Sequence, residues 1–235
     1  MVAFQAAYEV GARYIELDVH TSRDGEVVVS HDPHLERTCN NPGIILEMAY
    51  ADILKADAGY GFVDDEGKRP FAGKGITIPR LSEVLGEFPE LRFIVEIKQS
   101  VPSLIEALLK VLERTGMRRR VIVASEHQAP LTEIRARAPS IPTSFCSTEV
   151  GFFVQALPVK MAGYAAPGEA LQIPPEYESF KLVTPESVAA AHQLGIEMHI
   201  WTVNDASEMK ELLATGVDGI ITDFPARLLK LLHQN

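Results

Sequence analysis

The stretch IELDVHTSRDGEVVVSHD, Ile15 to Asp32, decides how the rest of the chain is read. Its first half predicts a strand over Arg13–Val19, and side chains two apart on a strand share a face. Glu16 and Asp18 therefore point at one spot, with His20 one step further along the same face. Two carboxylates held that close repel each other unless a cation or a shared proton neutralises them. The apolar run VVVS then carries His31 and Asp32 to the point where a second short strand breaks into a loop. The stretch reads as half of a metal site.

Working outward, apolar runs of strand length alternate with amphipathic runs of helix length almost to the end of the chain, the pattern of a parallel sheet in an α/β fold. Further strands are expected at 91–97, 120–124, 141–145, 170–173, 197–201 and 218–222. Helices are expected at 2–10, 81–88, 102–115, 130–136, 148–155, 185–194, 206–214 and 225–232. Thr184-Pro185 and Asn204-Asp205 read as helix starts, and Gly195 and Gly216 as stops. This is one strand short of a closed (β/α)8 barrel, and the chain opens on a helix. The exception to the alternation is 34–79, rich in Gly, Asp, Asn and Pro, with one short helix near 48–55. Its apolar spots, Ile44, Ile45, Tyr60, Phe62 and Phe71, favour an insertion that packs over a free linker.

The chain has 235 residues and a formal net charge of −10, with a pI near 5.2. One α/β domain over 1–235 suits that length. The charge argues against nucleic acid or anionic lipid as a bulk electrostatic partner. Cys39 and Cys146 stand alone, with no zinc-ligand spacing, which suits a reducing, cytoplasmic setting. No run approaches the ~20 apolar residues of a membrane span.

In barrel enzymes the working residues lie at the C-terminal ends of strands. Glu96 and Lys98 (IVEIKQ) fall there on the second long strand. With Glu16 and Asp18, Glu96 offers three hard oxygen ligands that suit Mg²⁺ or Ca²⁺ better than zinc. The Lys98 ammonium beside them favours a phosphate oxygen. His31 is the candidate proton donor to a leaving alkoxide, and His20 lies behind the carboxylates. Acidic residues at strand ends also cap helices or pair with lysine, and a lone histidine is commonly structural. It is the combination that points to a site. Trp201, the only tryptophan, fits either core packing or an apolar wall for substrate. No Gly-rich phosphate loop, nucleophile elbow or CxxC is present, which argues against nucleotide, serine-hydrolase and thiol-redox chemistry.

Taken together, GARYIELDVHTSRDGEVVVSHDPHLERT (11–38), IPRLSEVL (78–85), FIVEIK (93–98), LVTPESVAAAHQLGIEMHIWTVND (182–205) and GVDGIITDFP (216–225) resemble the glycerophosphodiester phosphodiesterase family. The resemblance implies a TIM-type barrel with a small insertion, and hydrolysis of glycerophosphodiesters to an alcohol and glycerol 3-phosphate. It also implies a divalent cation on Glu16, Asp18 and Glu96, His31 as one of two catalytic histidines, Lys98 on the phosphate and Trp201 near the alcohol. The family's first strand, with its His-Arg-Gly and Pro-Glu-Asn motifs, has no counterpart in this chain. The expectation is therefore a barrel lacking its first β-strand, with impaired turnover and with exposed sheet edges that pair into a homodimer. Rival readings are a phospholipase D-like or phosphoinositide phospholipase-like enzyme, and a non-catalytic remnant that binds phosphodiester or metal.

Overall fold

The computed structural model describes residues 1–157 and 163–233. They fall into two compact units: Met1–Ala6 with Tyr14–Val121, and Ala7–Arg13 with Ile122–Asn235. Helix α1 (Val2–Glu9) crosses from one to the other and buries none of its residues.

In the first unit β1 (Tyr14–Thr21) lies between β2 (Val27–Val29) and β3 (Arg92–Ile97). β1 and β3 run parallel in register from Tyr14↔Arg92 to Val19↔Ile97. β2 folds back antiparallel against Val19–Thr21 only. That hairpin carries β1 two residues beyond the expected end at Val19, so Glu16 and Asp18 sit within the strand. Over Tyr14–Leu17, β1 has a strand neighbour on the β3 side alone among the described residues.

Alternation along β3 divides its faces: Phe93, Val95 and Ile97 are buried, and Glu96 lies on the opposite face, half-buried. α4 (Ile105–Thr115) buries Ile105, Leu108, Val111 and Leu112, one stripe at helical spacing. It ends on Gly116 at φ 68°, a left-handed cap that costs glycine little. The insertion does pack. Leu35, Cys39, Ile45, Tyr50, Ile53 and Ile78 form a core cluster with Val28 of β2, around a short α2 (Tyr50–Ile53). Tyr60 and Phe62 stay exposed, and Phe62 meets Phe71 edge-on at 5.0 Å. α3 (Leu81–Glu87) follows, opened by Glu83 accepting from the Arg80 backbone N–H at 2.9 Å.

β4 (Val121–Ala124) begins where the first unit ends. The second unit continues with α5 (Gln128–Arg137), α6 (Ser147–Ala156), β5 (Ala170–Ile173), β6 (Glu176–Tyr177), β7 (Phe180–Lys181), α7 (Pro185–Gln193), β8 (Glu197–Ile200), α8 (Ala206–Thr215), β9 (Gly219–Ile220) and α9 (Pro225–Leu232). Its main sheet has the order β5-β8-β9, all parallel. Leu171 and Ile173 of β5 and Met198 and Ile200 of β8 enter one core with Val188, Ala191, Met209 and Leu212 of α7 and α8. The helix starts fall where expected. Thr184 accepts from the Ser187 N–H with Pro185 in the first turn, Asp205 accepts from Ser207 and Glu208, and Gly216 closes α8 at φ 90°.

Two strand expectations are corrected. The run 141–145 forms only single parallel bridges, Val123↔Thr143 and Ser144↔Ala170, because Pro142 has no N–H to donate to a ladder. The run 218–222 shortens to Gly219–Ile220. The described strands form separate sheets, so no continuous closed barrel ladder is seen among them. Both cysteines are buried and free, and no helix among the described residues is long and apolar enough to cross a membrane.

Candidate functional site

Register assembles the site. β1 and β3 pair Asp18 directly with Glu96, and Glu16 lies one side-chain repeat back on the same face of β1. Ligand atoms of Glu16, Asp18 and Glu96 all lie within 4.8 Å of one another. Lys98 Nζ reaches Glu96 Oε1 at 2.9 Å and Asp18 Oδ1 at 3.3 Å. Burial opposes the Lys98 charge, but Glu96 and Asp18 outweigh it and hold the ammonium above its ordinary pKa.

Glu16 is the frustrated member. Burial first, then the charges of Asp18 and Glu96, push its pKa up to about 8 against a weaker pull from Lys98. One lysine does not balance three carboxylates. Hard anionic oxygens gathered without enough counter-charge are the donor set of Mg²⁺ or Ca²⁺, so the residues present fit a divalent cation.

His31 is tied to this cluster through the backbone. Ser30 N–H donates to the Asp18 carbonyl at 3.0 Å, and the His20 ring meets the His31 carbonyl through Nε2 at 3.2 Å. His20 is 5% exposed, and burial, the largest influence on it, lowers its pKa. The ring of His31 is exposed, and its Nδ1 lies 2.7 Å from Asp32 Oδ1. Arg37 grips the same carboxylate through Nε and, at 3.1 Å, Nη2. The hydrogen bond from Arg37, then that from His31, holds the Asp32 pKa down at about 2. An ionised Asp32 favours the tautomer in which His31 carries its proton on Nδ1.

Arg37 and its contact with Asp32 went unread in the sequence. The signal was HDPHLER, an acid and an arginine five residues apart, whose meeting depends on how the loop turns. Trp201 lies in the second unit at the end of β8. It is 39% exposed, and its N–H donates to the Ile173 carbonyl at 3.1 Å. At that exposure Trp201 is not among the buried core residues. Asn204 ties the following loop to β9's, donating to Asp223 at 2.7 Å and accepting from Thr222 at 3.0 Å.

Comparison with known proteins gives this arrangement its class: the chain is a phosphoric diester hydrolase. It belongs to the glycerophosphoryl diester phosphodiesterase family, whose pattern matches residues 1–227. It is 34% identical to the glycerophosphodiester phosphodiesterase of Caldanaerobacter subterraneus, over all of this chain and 91% of the relative. With the enzyme of Bacillus altitudinis it shares 31% identity over 98% of this chain and 91% of the relative. Among solved structures, one from Silicibacter pomeroyi superposes with a TM-score of 0.82 at 30% identity, covering 98% of this chain and 86% of that one. The glycerophosphoryl diester phosphodiesterase domain of Rv2277c from Mycobacterium tuberculosis gives 0.84 at 18% identity, over 100% and 92%.

Proposed function

We propose that this chain hydrolyses glycerophosphodiesters, with water, to an alcohol and sn-glycerol 3-phosphate, using a divalent cation held by Glu16, Asp18 and Glu96. The observation that carries the reading is the three-carboxylate cluster with Lys98 at its edge, in a member of this family. A phosphodiesterase of Oleispira antarctica with the same fold (TM-score 0.77) has been solved with the product sn-glycerol 3-phosphate, which supports the choice of product.

In this reading Lys98 binds a non-bridging phosphate oxygen and holds the diester against the carboxylate-bearing face. His31, held by Asp32, delivers a proton from Nε2 to the departing alkoxide. A bound Mg²⁺ or Ca²⁺ supplies charge neutralisation to the phosphate. We take 1–227, matched by one family pattern, as belonging to one domain. The β1 edge over Tyr14–Leu17 offers a strand-pairing surface to a second copy, and sedimentation of the purified chain as a monomer at micromolar concentration rules that out.

The test is release of sn-glycerol 3-phosphate from glycerophosphocholine with Mg²⁺ or Ca²⁺, followed by chelation. Turnover that stops on chelation and is absent in Glu16→Gln and Asp18→Asn supports the reading. Turnover indifferent to both, or a cyclic phosphate product, overturns it.

A further inference from the structure

His20 lies on the face of β1 that carries Glu16 and Asp18, and the catalytic reading leaves it without a task. Its ring is buried, and its Nε2 lies 3.2 Å from the His31 carbonyl. A carbonyl oxygen only accepts, so this nitrogen carries the proton and donates. The contact falls where backbone pairing gives out. β2 is held to β1 through the pairs Val19↔Val29, His20↔Val28 and Thr21↔Val27, and Ser30 N–H adds one more bond, to the Asp18 carbonyl at 3.0 Å. Beyond Ser30 the chain leaves the sheet. Among the described residues no backbone N–H donates to the His31 carbonyl, and the His20 side chain takes the place of the missing rung.

That rung secures a histidine that packing does not. The His31 side chain is 61% exposed, so its hydrogen bonds set its place. At the ring, Nδ1 meets Asp32 Oδ1 at 2.7 Å, and Arg37 holds the same carboxylate. At the backbone, His20 fixes the carbonyl. Asp32 and Arg37 belong to the loop and travel with His31, whereas His20 belongs to β1. β1 is paired with β3 from Tyr14↔Arg92 to Val19↔Ile97, and it bears two of the three carboxylates. The His20 bond is therefore a side-chain link between the loop that bears His31 and the strand that bears Glu16 and Asp18.

We infer that His20 is a positioning residue for His31: anchored in β1, it holds the His31 backbone so that the imidazole keeps its place relative to the carboxylate cluster. This role rests on the proposed function, in which His31 serves the leaving group. As the P–O bond breaks, its electron pair goes to the leaving oxygen, which takes the proton from His31 Nε2. A misplacement of about 1 Å in a reacting group costs on the order of 10²-fold in rate. His20 acts through His31 alone, so its effect is confined to substrates whose leaving group needs a proton.

Substrates that differ in their leaving group test it. Glycerophosphocholine releases an alkoxide that needs a proton, whereas the p-nitrophenyl ester of glycerol 3-phosphate releases a phenolate that does not. His20→Phe keeps a ring but has no donor. It is expected to lower kcat on glycerophosphocholine about 30- to 100-fold, with KM and turnover of the nitrophenyl ester within about threefold, which also shows that the variant folds. His20→Asn, whose amide nitrogen stands where Nδ1 does and falls short of the carbonyl, gives the same selective loss. His20→Gln, whose amide nitrogen reaches the Nε2 position, recovers at least about tenfold of it. In His31→Ala the His20→Phe change costs nothing further, since the group it positions is gone. Equal losses on both substrates, losses that add to those of His31→Ala, a His20→Gln variant no better than His20→Phe, or a His20→Phe variant with parental kcat each overturn the inference while the proposed function stands. A parent that hydrolyses neither substrate refutes the proposed function, and the role of His20 with it.

Discussion

Asp18 and Glu96 face each other as register partners on parallel strands, and Lys98 Nζ bridges them at 3.3 and 2.9 Å. One ammonium thus stands where a divalent cation would compete for the same oxygens. Lys98→Met is expected to move two measurements in opposite directions. Turnover falls ~10²- to 10³-fold through loss of a charged phosphate contact, while Ca²⁺ affinity by calorimetry rises because the competing ammonium is gone. A fall in both assigns Lys98 to positioning the carboxylates instead.

Glu16 links metal binding to pH. Its pKa stands at about 8, raised by burial and then by Asp18 and Glu96. A carboxyl raised on folding contributes its stability fully below the unfolded value, near 4.5, and loses it as pH rises to about 8. The metal-free protein should therefore melt at lower temperature at pH 8.5 than at pH 5 on this group's account, and Glu16→Gln should flatten that slope. Metal binding needs the ionised form, so the rise in Tm given by Ca²⁺ should grow over the same interval. Thermal melts at several pH values, with and without Ca²⁺, decide it.

In the proposed reaction Asp32 works through His31. Asp32→Asn removes the carboxylate that both His31 and Arg37 engage. A drop in kcat of roughly 10²-fold, the scale of one acid–base group, is expected with Ca²⁺ affinity unchanged. The Asp32 pKa, held at about 2 first by Arg37 and then by His31, contributes stability that is present above the unfolded value near 3.8 and lost as pH falls through 2. The variant should therefore lose its acid-side slope in the same range. Unchanged kcat would leave His31 without its proposed orienting partner.

What the sequence made legible follows from the range of the interactions involved. Glu16 and Asp18 share a face by the two-residue repeat of a strand, which needs no tertiary knowledge, and FIVEIK placed Glu96 and Lys98 on a second strand in the same way. Only the β1–β3 register brings Asp18 opposite Glu96, and no local pattern encodes register. Helix bounds were close because caps such as Thr184, Asp205 and Gly216 are local. The Tyr177–Phe180 hairpin was missed since two-residue strands are too short to show alternation. The strand expected at 141–145 dissolved into bridges because Pro142, inside it, cannot donate to its neighbour. Arg37 was missed because a loop, not a periodic element, carries it to Asp32.

Within the second unit an ion pair joins α5 to α6. The Arg135 guanidinium, on α5, meets both carboxylate oxygens of Glu149 on α6, at 2.6 and 3.0 Å, and also bonds Thr143 Oγ1 and the Ser144 carbonyl at 2.9 and 2.8 Å. Through the last two it secures the segment where Pro142 prevents a regular ladder. The Arg135 and Glu149 side chains are 24% and 13% exposed. Burial tends to raise the Glu149 pKa, but the hydrogen bonds from Arg135 and from Cys146 N–H prevail and lower it. Removing one partner of such a pair strands the other, at roughly 3–5 kcal/mol, and the residual exposure of Arg135 puts Arg135→Met at the low end. Removing both charges in Arg135→Met/Glu149→Leu should restore part of that loss, since no unpaired carboxylate remains. Urea unfolding of the parent, both single variants and the double variant gives the coupling directly. Additive losses would mean that the two side chains act separately and that the contacts to Thr143 and Ser144 carry the effect.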